Sequence, residues 1–155
     1  MSGAGEALVA VHAAVHDDLE ARWWRSAEAL TALHLADAKV RWADFAAALA
    51  RHAEREDADV LPPFFAAGEP PRGASREIMA GEHERLVALA GDTGRALGDV
   101  PDEGATRREA IDVLDQMLRV KHLLEHHGIR EQELVYPRLE GLGDEVRARV
   151  LAALG

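Results

Sequence analysis

The chain has 155 residues, and its 28 acidic and 18 basic side chains give a formal charge of −10. This length suits one domain, so we expect a single domain over residues 1–155. The absence of cysteine excludes disulfides, thiolate nucleophiles, iron–sulfur clusters and thiolate zinc sites. The basic residues are dispersed among acidic ones, so we expect no nucleic acid partner.

The predicted elements are all helices, because only 5% of the residues are aromatic and no stretch alternates β-branched and polar residues. Clusters of Pro and Gly, the first at Leu61-Pro62-Pro63, are expected to separate the helices. Four long helices and a short fifth one, with Asp144 as its N-cap, are predicted at about residues 5–33, 37–60, 74–97, 103–135 and 144–154.

Histidines lie on the inward face of each long helix, since residues three and four apart share one side of a helix. A single histidine on an apolar stripe is more often a hydrogen-bonded core residue than a ligand. Four such stripes favour a metal, because unpaired buried imidazoles and carboxylates are costly. The candidates are His12, His16, His52, Glu56, His83, His127 and Glu131.

An internal repeat connects the second and fourth long helices. The segment from His52 to Glu56 and the segment from His127 to Glu131 share the spacing HxxxE, and each histidine is followed ten residues later by a proline. Each segment is preceded by a helix with an inward histidine. The repeat therefore predicts a site with approximate twofold symmetry.

The HxxxE spacing suits metal coordination, because residues four apart rise about 6 Å along a helix and can reach one ion beside it. Carboxylates can bridge two metals roughly 3.5–4 Å apart. Mixed imidazole and carboxylate ligands favour iron, with manganese as the main competitor. We expect two iron ions bridged by oxo, hydroxo or water, with coordination positions left open.

The chain resembles the hemerythrin-like (HHE cation-binding) family over nearly its whole length. The resemblance is carried by four segments: around His16, from Arg51 to Glu56, around His83, and from His127 to Pro137. The resemblance implies one such domain, folded as an up-down-up-down four-helix bundle with a non-heme di-iron centre. It implies the following metal ligands, the two glutamates bridging: His16, His52, Glu56, His83, His127 and Glu131.

The sequence departs from the oxygen carriers of that family. The pattern of those carriers is HxxxH on the third helix and HxxxxD on the fourth. Here the residues four before and four after His83 are Met79 and Val87, and the last motif ends in Glu131. Reversible oxygen transport is therefore not expected. His12, one turn before His16, either adds a fifth nitrogen or makes a buried hydrogen bond near the site.

Five further residues receive simpler interpretations. Trp23 and Trp42 are predicted to pack in the core, and Tyr136 is predicted to lie beyond the metal level and not to be a ligand. His122 and His126 are predicted to face solvent or a helix neighbour. An accessory surface metal site formed by these two histidines is the alternative.

Two functions remain open at this point. The leading hypothesis is a di-iron protein that reacts with or senses O2, peroxide or nitric oxide, and it leaves open whether the protein is a catalase-like or oxidase-like enzyme. The alternative is an iron-binding buffer or iron-sensing module without turnover. We expect a cytoplasmic protein with no membrane partner, because the chain starts without a basic and apolar leader and has no apolar run of about 20 residues.

Overall fold

The computed structural model describes residues 5–155, and within that range it is helical without strands. The α-helices are α1 (Leu8–Thr31), α2 (Leu35–Arg55), α3 (Leu61–Ala66), α4 (Arg76–Asp99), α5 (Arg107–Arg130), α6 (Tyr136–Glu140) and α7 (Asp144–Leu154). The predicted all-α class is confirmed. The four long helices α1, α2, α4 and α5 occur where the sequence predicts them, with ends shifted by a few residues.

Local side-chain contacts define where several helices begin. Ser75 accepts a hydrogen bond from the N–H of Ile78 at the start of α4. Thr106 and Glu109 form a reciprocal capping box at the start of α5. The prediction for α7 was wrong by one residue: Asp144 is the first helical residue, and the N-cap is Gly143, whose φ of +99° favours glycine.

The expected break at Leu61-Pro62-Pro63 was wrong. A π-helical turn at Glu56–Val60 leads directly from α2 into α3, and a second π turn at Glu131–Val135 leads from α5 into α6. A proline lacks an N–H and collides with the carbonyl four residues earlier in an α-helix. Each π turn ends just before such a proline, which then lies in the first turn of the next α-helix, where the missing N–H is tolerated.

The four long helices pack in a closed ring, in which α1 contacts α2 and α5, and α4 contacts the same two helices. Two apolar clusters fill the interior. The large cluster contains Leu19, Trp23, Trp42, Phe45, Leu86, Met117 and their neighbours. The small cluster contains Leu8, Val60, Phe64, Met79, Val135, Leu139 and their neighbours.

A polar layer separates these clusters. Along α1 and α4, the small cluster comes first, the polar residues follow and the large cluster comes last; along α2 and α5 the order is reversed. Trp23 and Trp42 are buried in the large cluster, as predicted, and their ring N–H groups donate to Met117 O and Ala90 O, both at 2.9 Å. Within residues 5–155, every helix is too short or too polar to span a bilayer.

Candidate metal centre

The six predicted side chains meet in the polar layer and form two groups. The α1/α2 group contains His16 and His52, and the α4/α5 group contains His83 and His127; both groups include Glu56 and Glu131. Within each group, one nitrogen or oxygen atom from every residue lies within 4.8 Å of the others. Since both glutamates belong to both groups, the arrangement suits two cations that share two carboxylates.

The two carboxylates reach histidines of both groups. Glu131 Oε1 lies 3.1 Å from the Nε2 atom of His127 and 3.5 Å from that of His16. Glu56 Oε1 contacts His52 Nε2 and lies 3.9 Å from His83 Nε2. The HxxxE spacing thus brings each glutamate to the histidine of its own helix and to one from another helix.

Two further carboxylates support the α4/α5 group. Asp57 Oδ1 lies 2.6 Å from His83 Nδ1, and Glu82 Oε2 lies 2.6 Å from His127 Nδ1. When each Nδ1 donates its proton to its carboxylate, each Nε2 turns its lone pair inward, as metal-ligating histidines commonly do. The Nε2 atoms of His83 and His127 lie 2.9 Å apart.

Asp57 and Glu82 were not anticipated from the sequence. Each is adjacent in sequence to a predicted ligand, so it points about 100° away from the inward stripe that the spacing identifies. Both carboxylates contact a histidine on a different helix. Only the relative rotation of packed helices reveals such contacts, and the helical spacing contains no signal for them.

His12 is fully buried in the same polar layer. Its Nε2 atom lies 3.1 Å from Glu131 Oε1, and its ring centre lies 4.3 Å from that of His16. The structure therefore shows the hydrogen-bonded position that was one of the two expectations for this residue. A role as a fifth nitrogen ligand stays a prediction.

Tyr136 lies closer to the site than the sequence suggested. Its buried hydroxyl donates to Glu56 Oε2 at 2.9 Å, so the side chain reaches the polar layer although the residue lies five positions beyond Glu131. The cause is the π turn at Glu131–Val135. A π-helix places residues five apart on the same face, so Tyr136 lies one turn beyond Glu131 and points inward as Glu131 does. That Tyr136 is not a ligand stays a prediction.

Among residues 5–155, five buried polar atoms in this layer have no hydrogen-bond partner: His12 Nδ1, His16 Nε2, His52 Nε2, Glu56 Oε1 and Glu131 Oε2. His52 Nε2 and Glu56 Oε1 touch each other but do not form a hydrogen bond. Buried polar atoms are normally paired, and each unpaired one costs about 1–3 kcal/mol. Four of the five belong to predicted ligands, and all five are imidazole nitrogens or carboxylate oxygens. These are suitable donor atoms for iron, manganese or zinc, so the residues fit a bound metal.

The protonation of the layer is uneven. Burial lowers the pKa of His16 to about 4. Burial also disfavours a charged His127, but its contacts with Glu131 and Glu82 outweigh this and raise its pKa to about 10. Burial and the nearby Glu131 raise the pKa of Glu56. Burial alone would also raise the pKa of Glu131, but attraction to His127 and hydrogen bonds outweigh it and hold the pKa of Glu131 well below its usual range. The anionic surroundings that favour a charged imidazole also attract a metal cation.

A cavity of about 290 Å³ between α1 and α5 reaches the α1/α2 group. Its lining includes His16, Trp23, Lys121 and Gly128. A Cβ atom at Gly128 would lie only 2.7 Å from His16 Nδ1. The glycine therefore leaves space for the His16 ring next to the cavity.

Two predicted solvent-facing histidines lie outside this centre. His122 and His126 are exposed on α5, which confirms their predicted orientation. An accessory surface metal site at this pair stays a prediction.

Comparison with protein families agrees with this geometry. The model of the hemerythrin HHE cation binding domain matches residues 74–154, more than half of the chain. The chain therefore belongs to the hemerythrin HHE cation-binding domain family. No curated protein and no solved structure gives a significant match. The matched range includes His83, His127 and Glu131, whereas His16, His52 and Glu56 precede it.

Proposed function

We propose that the protein holds two iron ions in the polar layer and reacts with or senses a small oxidant or diatomic molecule, namely O2, peroxide or nitric oxide. The proposed ligands are His16 and His52 for one ion and His83 and His127 for the other, with Glu56 and Glu131 shared. The proposal includes the up-down-up-down arrangement of the long helices, which the alternating order of the two apolar clusters supports.

One observation supports two ions above all others. The His and Glu side chains form two groups, and both glutamates are common to the two. A mononuclear site would leave the histidines of one group without a role. Neighbouring buried carboxylates repel each other, and cations between them would remove that repulsion.

The protein's residues contribute binding, orientation and exclusion of water. Asp57 and Glu82 orient two imidazoles, and Tyr136 holds one oxygen of Glu56, whose other oxygen has no hydrogen-bond partner. The two apolar clusters limit the access of water from either end of the layer. Iron would supply open coordination positions and one-electron redox chemistry, because six side chains do not saturate two octahedral ions.

A small ligand has a route to this centre through the cavity between α1 and α5. His16 lines that cavity, and its side chain is 14% exposed, more than the other three histidines of the two groups. A small neutral molecule can therefore approach the α1/α2 group without unfolding the bundle.

The test is anaerobic loading of metal-free protein with ferrous iron, followed by metal analysis and exposure to O2, peroxide or nitric oxide in separate samples. We expect about two iron ions per chain, as a bridged pair requires, and changes in iron absorption with at least one oxidant or with nitric oxide. Parallel loading with manganese tests the competing metal.

Two ions that stay ferrous and unchanged in all samples would overturn the reactive function and leave the iron buffer or iron sensor. Fewer than two ions per chain would contradict the di-iron site itself. Repeated turnover of peroxide or O2 would identify an enzyme, whereas a single stoichiometric reaction would favour a sensor.

A further inference from the structure

We propose that the two metal positions are unequal, and that Asp57 and Glu82 make the α4/α5 position the first to fill and the last to empty. This inference rests on the proposed two-ion site. It depends on Asp57 and Glu82, which contact two of the proposed ligand histidines and have no carboxylate at the equivalent positions of the repeat.

The first argument is the orientation of the histidines. In the α4/α5 group, both Nδ1 atoms face a carboxylate oxygen at 2.6 Å. In the α1/α2 group, the only carboxylates within 4.0 Å of either imidazole, among residues 5–155, are Glu131 beside His16 Nε2 and Glu56 beside His52 Nε2. A carboxylate that accepts the Nδ1 proton fixes the tautomer and makes Nε2 a stronger ligand.

The second argument is the repeat itself. The position equivalent to Asp57 in the second copy is Gln132, and the position equivalent to Glu82 in the first helix is Val15. Neither replacement has a carboxylate, so the α1/α2 group lacks two negative charges that the α4/α5 group has. Negative charge close to a site increases its attraction for a divalent cation.

The third argument is the support of Glu82. Its second oxygen, Oε1, accepts from Arg130 Nε at 2.9 Å, and an Arg130 terminal nitrogen donates to Gly73 O at 2.6 Å. The Glu82 side chain is only 16% exposed, whereas that of Asp57 is 48% exposed. Glu82 is thus held in place before a metal arrives. Its ion pair with Arg130 offsets part of its negative charge, so its main contribution is to orient His127.

Burial acts in the same direction. The side chains of His83 and His127 are 3% and 0% exposed, whereas those of His16 and His52 are 14% and 6% exposed. An ion in the α1/α2 position is therefore closer to solvent and to the cavity. This difference favours faster exchange of that ion.

The test is an equilibrium titration of the metal-free protein with Co²⁺ alone, a paramagnetic divalent ion that accepts nitrogen and oxygen ligands. We expect two binding steps in the wild type. Glu82→Gln should weaken the first step by about 10–100-fold and leave the second nearly unchanged, because loss of such an orienting carboxylate typically costs this much affinity. Asp57→Asn should weaken the same step by less.

Glu84→Gln is the matched control. Glu84 is exposed on α4, directly after His83, so this substitution removes the same charge from the same helix. It should leave both steps unchanged. Equal weakening by Glu84→Gln and Glu82→Gln, or equal weakening of both steps by Glu82→Gln, would overturn the proposed inequality.

A second measurement needs no variant. With one equivalent of Co²⁺ on the wild type, proton NMR should show strongly shifted, slowly exchanging ring N–H signals from His83 and His127, whose Nδ1 protons are held by carboxylates. Their appearance only with the second equivalent would overturn the proposed order. Binding of fewer than two Co²⁺ ions would instead reject the two-ion site, so the two failures are distinguishable.

Discussion

The α1/α2 and α4/α5 groups occupy matching positions of one sequence repeat, but their surroundings differ. The repeat preserves the proposed ligands, since His52 and Glu56 in one copy correspond to His127 and Glu131 in the other. The residues one layer further out have diverged. Divergence in that outer layer can make two chemically similar positions behave differently, because outer contacts orient the ligands and tune their basicity.

Three pairs of equivalent positions illustrate this divergence. Asp57 corresponds to Gln132, so only His83 gains a carboxylate partner from this pair. Ala53 corresponds to Gly128, and only the glycine admits the His16 ring. Leu61 corresponds to Tyr136, whose hydroxyl contacts Glu56.

The largest effect is expected from removing a shared ligand, because both metal positions should then lose affinity. Glu131→Gln should reduce the metal content from about two ions per chain to less than one, because Glu131 would bridge both ions. His52→Ala should lower the metal occupancy of the α1/α2 position more than that of the α4/α5 position. Metal analysis of purified protein measures this.

The control for that substitution is Glu133→Gln, which removes an exposed charge two residues away. It should retain the wild-type metal content. A Glu131→Gln variant that keeps two ions would show that the carboxylate is not shared.

Metal removal should loosen both halves, since metal binds the folded state. An ion at a free concentration about 1,000 times its Kd adds roughly 4 kcal/mol to the free energy of unfolding. Chelation should therefore lower the melting temperature and accelerate amide exchange at the π turns Glu56–Val60 and Glu131–Val135. Glu131→Gln is the matched control, and its melting temperature should respond much less to chelator. Equal melting of the wild type with and without metal would contradict the coupling.

Gly128→Ala should affect the α1/α2 metal position and leave the α4/α5 position intact. The new Cβ would lie 2.7 Å from His16 Nδ1, so His16 must move and the α1/α2 position should lose its ion while the other is retained. Overpacking of this kind costs about 1–3 kcal/mol of unfolding free energy. Metal analysis and urea denaturation measure the two effects.

Two substitutions serve as controls for this steric effect. Ala53→Gly at the equivalent position should cost about 1 kcal/mol of helix stability and keep both ions. Gly81→Ala lies in open space on α4 and should stabilise the helix. Loss of metal in either control, or two ions in Gly128→Ala, would contradict the steric explanation.

The smallest effect is expected at Tyr136. Tyr136→Phe removes the hydroxyl that donates to Glu56 and leaves a buried oxygen with one partner fewer. The metal-free protein should lose about 1–2 kcal/mol of unfolding free energy, the usual cost of such an unpaired group. Metal content should stay unchanged, and urea denaturation of metal-free samples measures the stability. A loss of metal would indicate that the tyrosine does more than support Glu56.

The sequence predicted the helices and the inward side chains well, because both depend on local periodicity. His52 and Glu56 share a helical face at any α-helical geometry, so their convergence needed only the correct helices. The π turns were missed, since Pro62 was interpreted as a break. The position of Tyr136 was missed with them, because it depends on the extra residue in the second π turn.

The outer carboxylates were missed for a different reason. Asp57 and Glu82 lie off the inward stripes of their own helices and act on histidines of neighbouring helices. Their contacts depend on how α2, α4 and α5 are rotated against one another. Pairwise packing of helices, which periodicity does not encode, determines that rotation.

The most direct test of the central claim is an anomalous difference map from crystals of the iron-loaded protein, recorded at the iron absorption edge. Two ions that share Glu56 and Glu131 predict two peaks in the polar layer, roughly 3.5–4 Å apart, with one beside His16 and His52 and the other beside His83 and His127. A single peak, or peaks outside the layer between the two apolar clusters, would contradict the shared two-ion site.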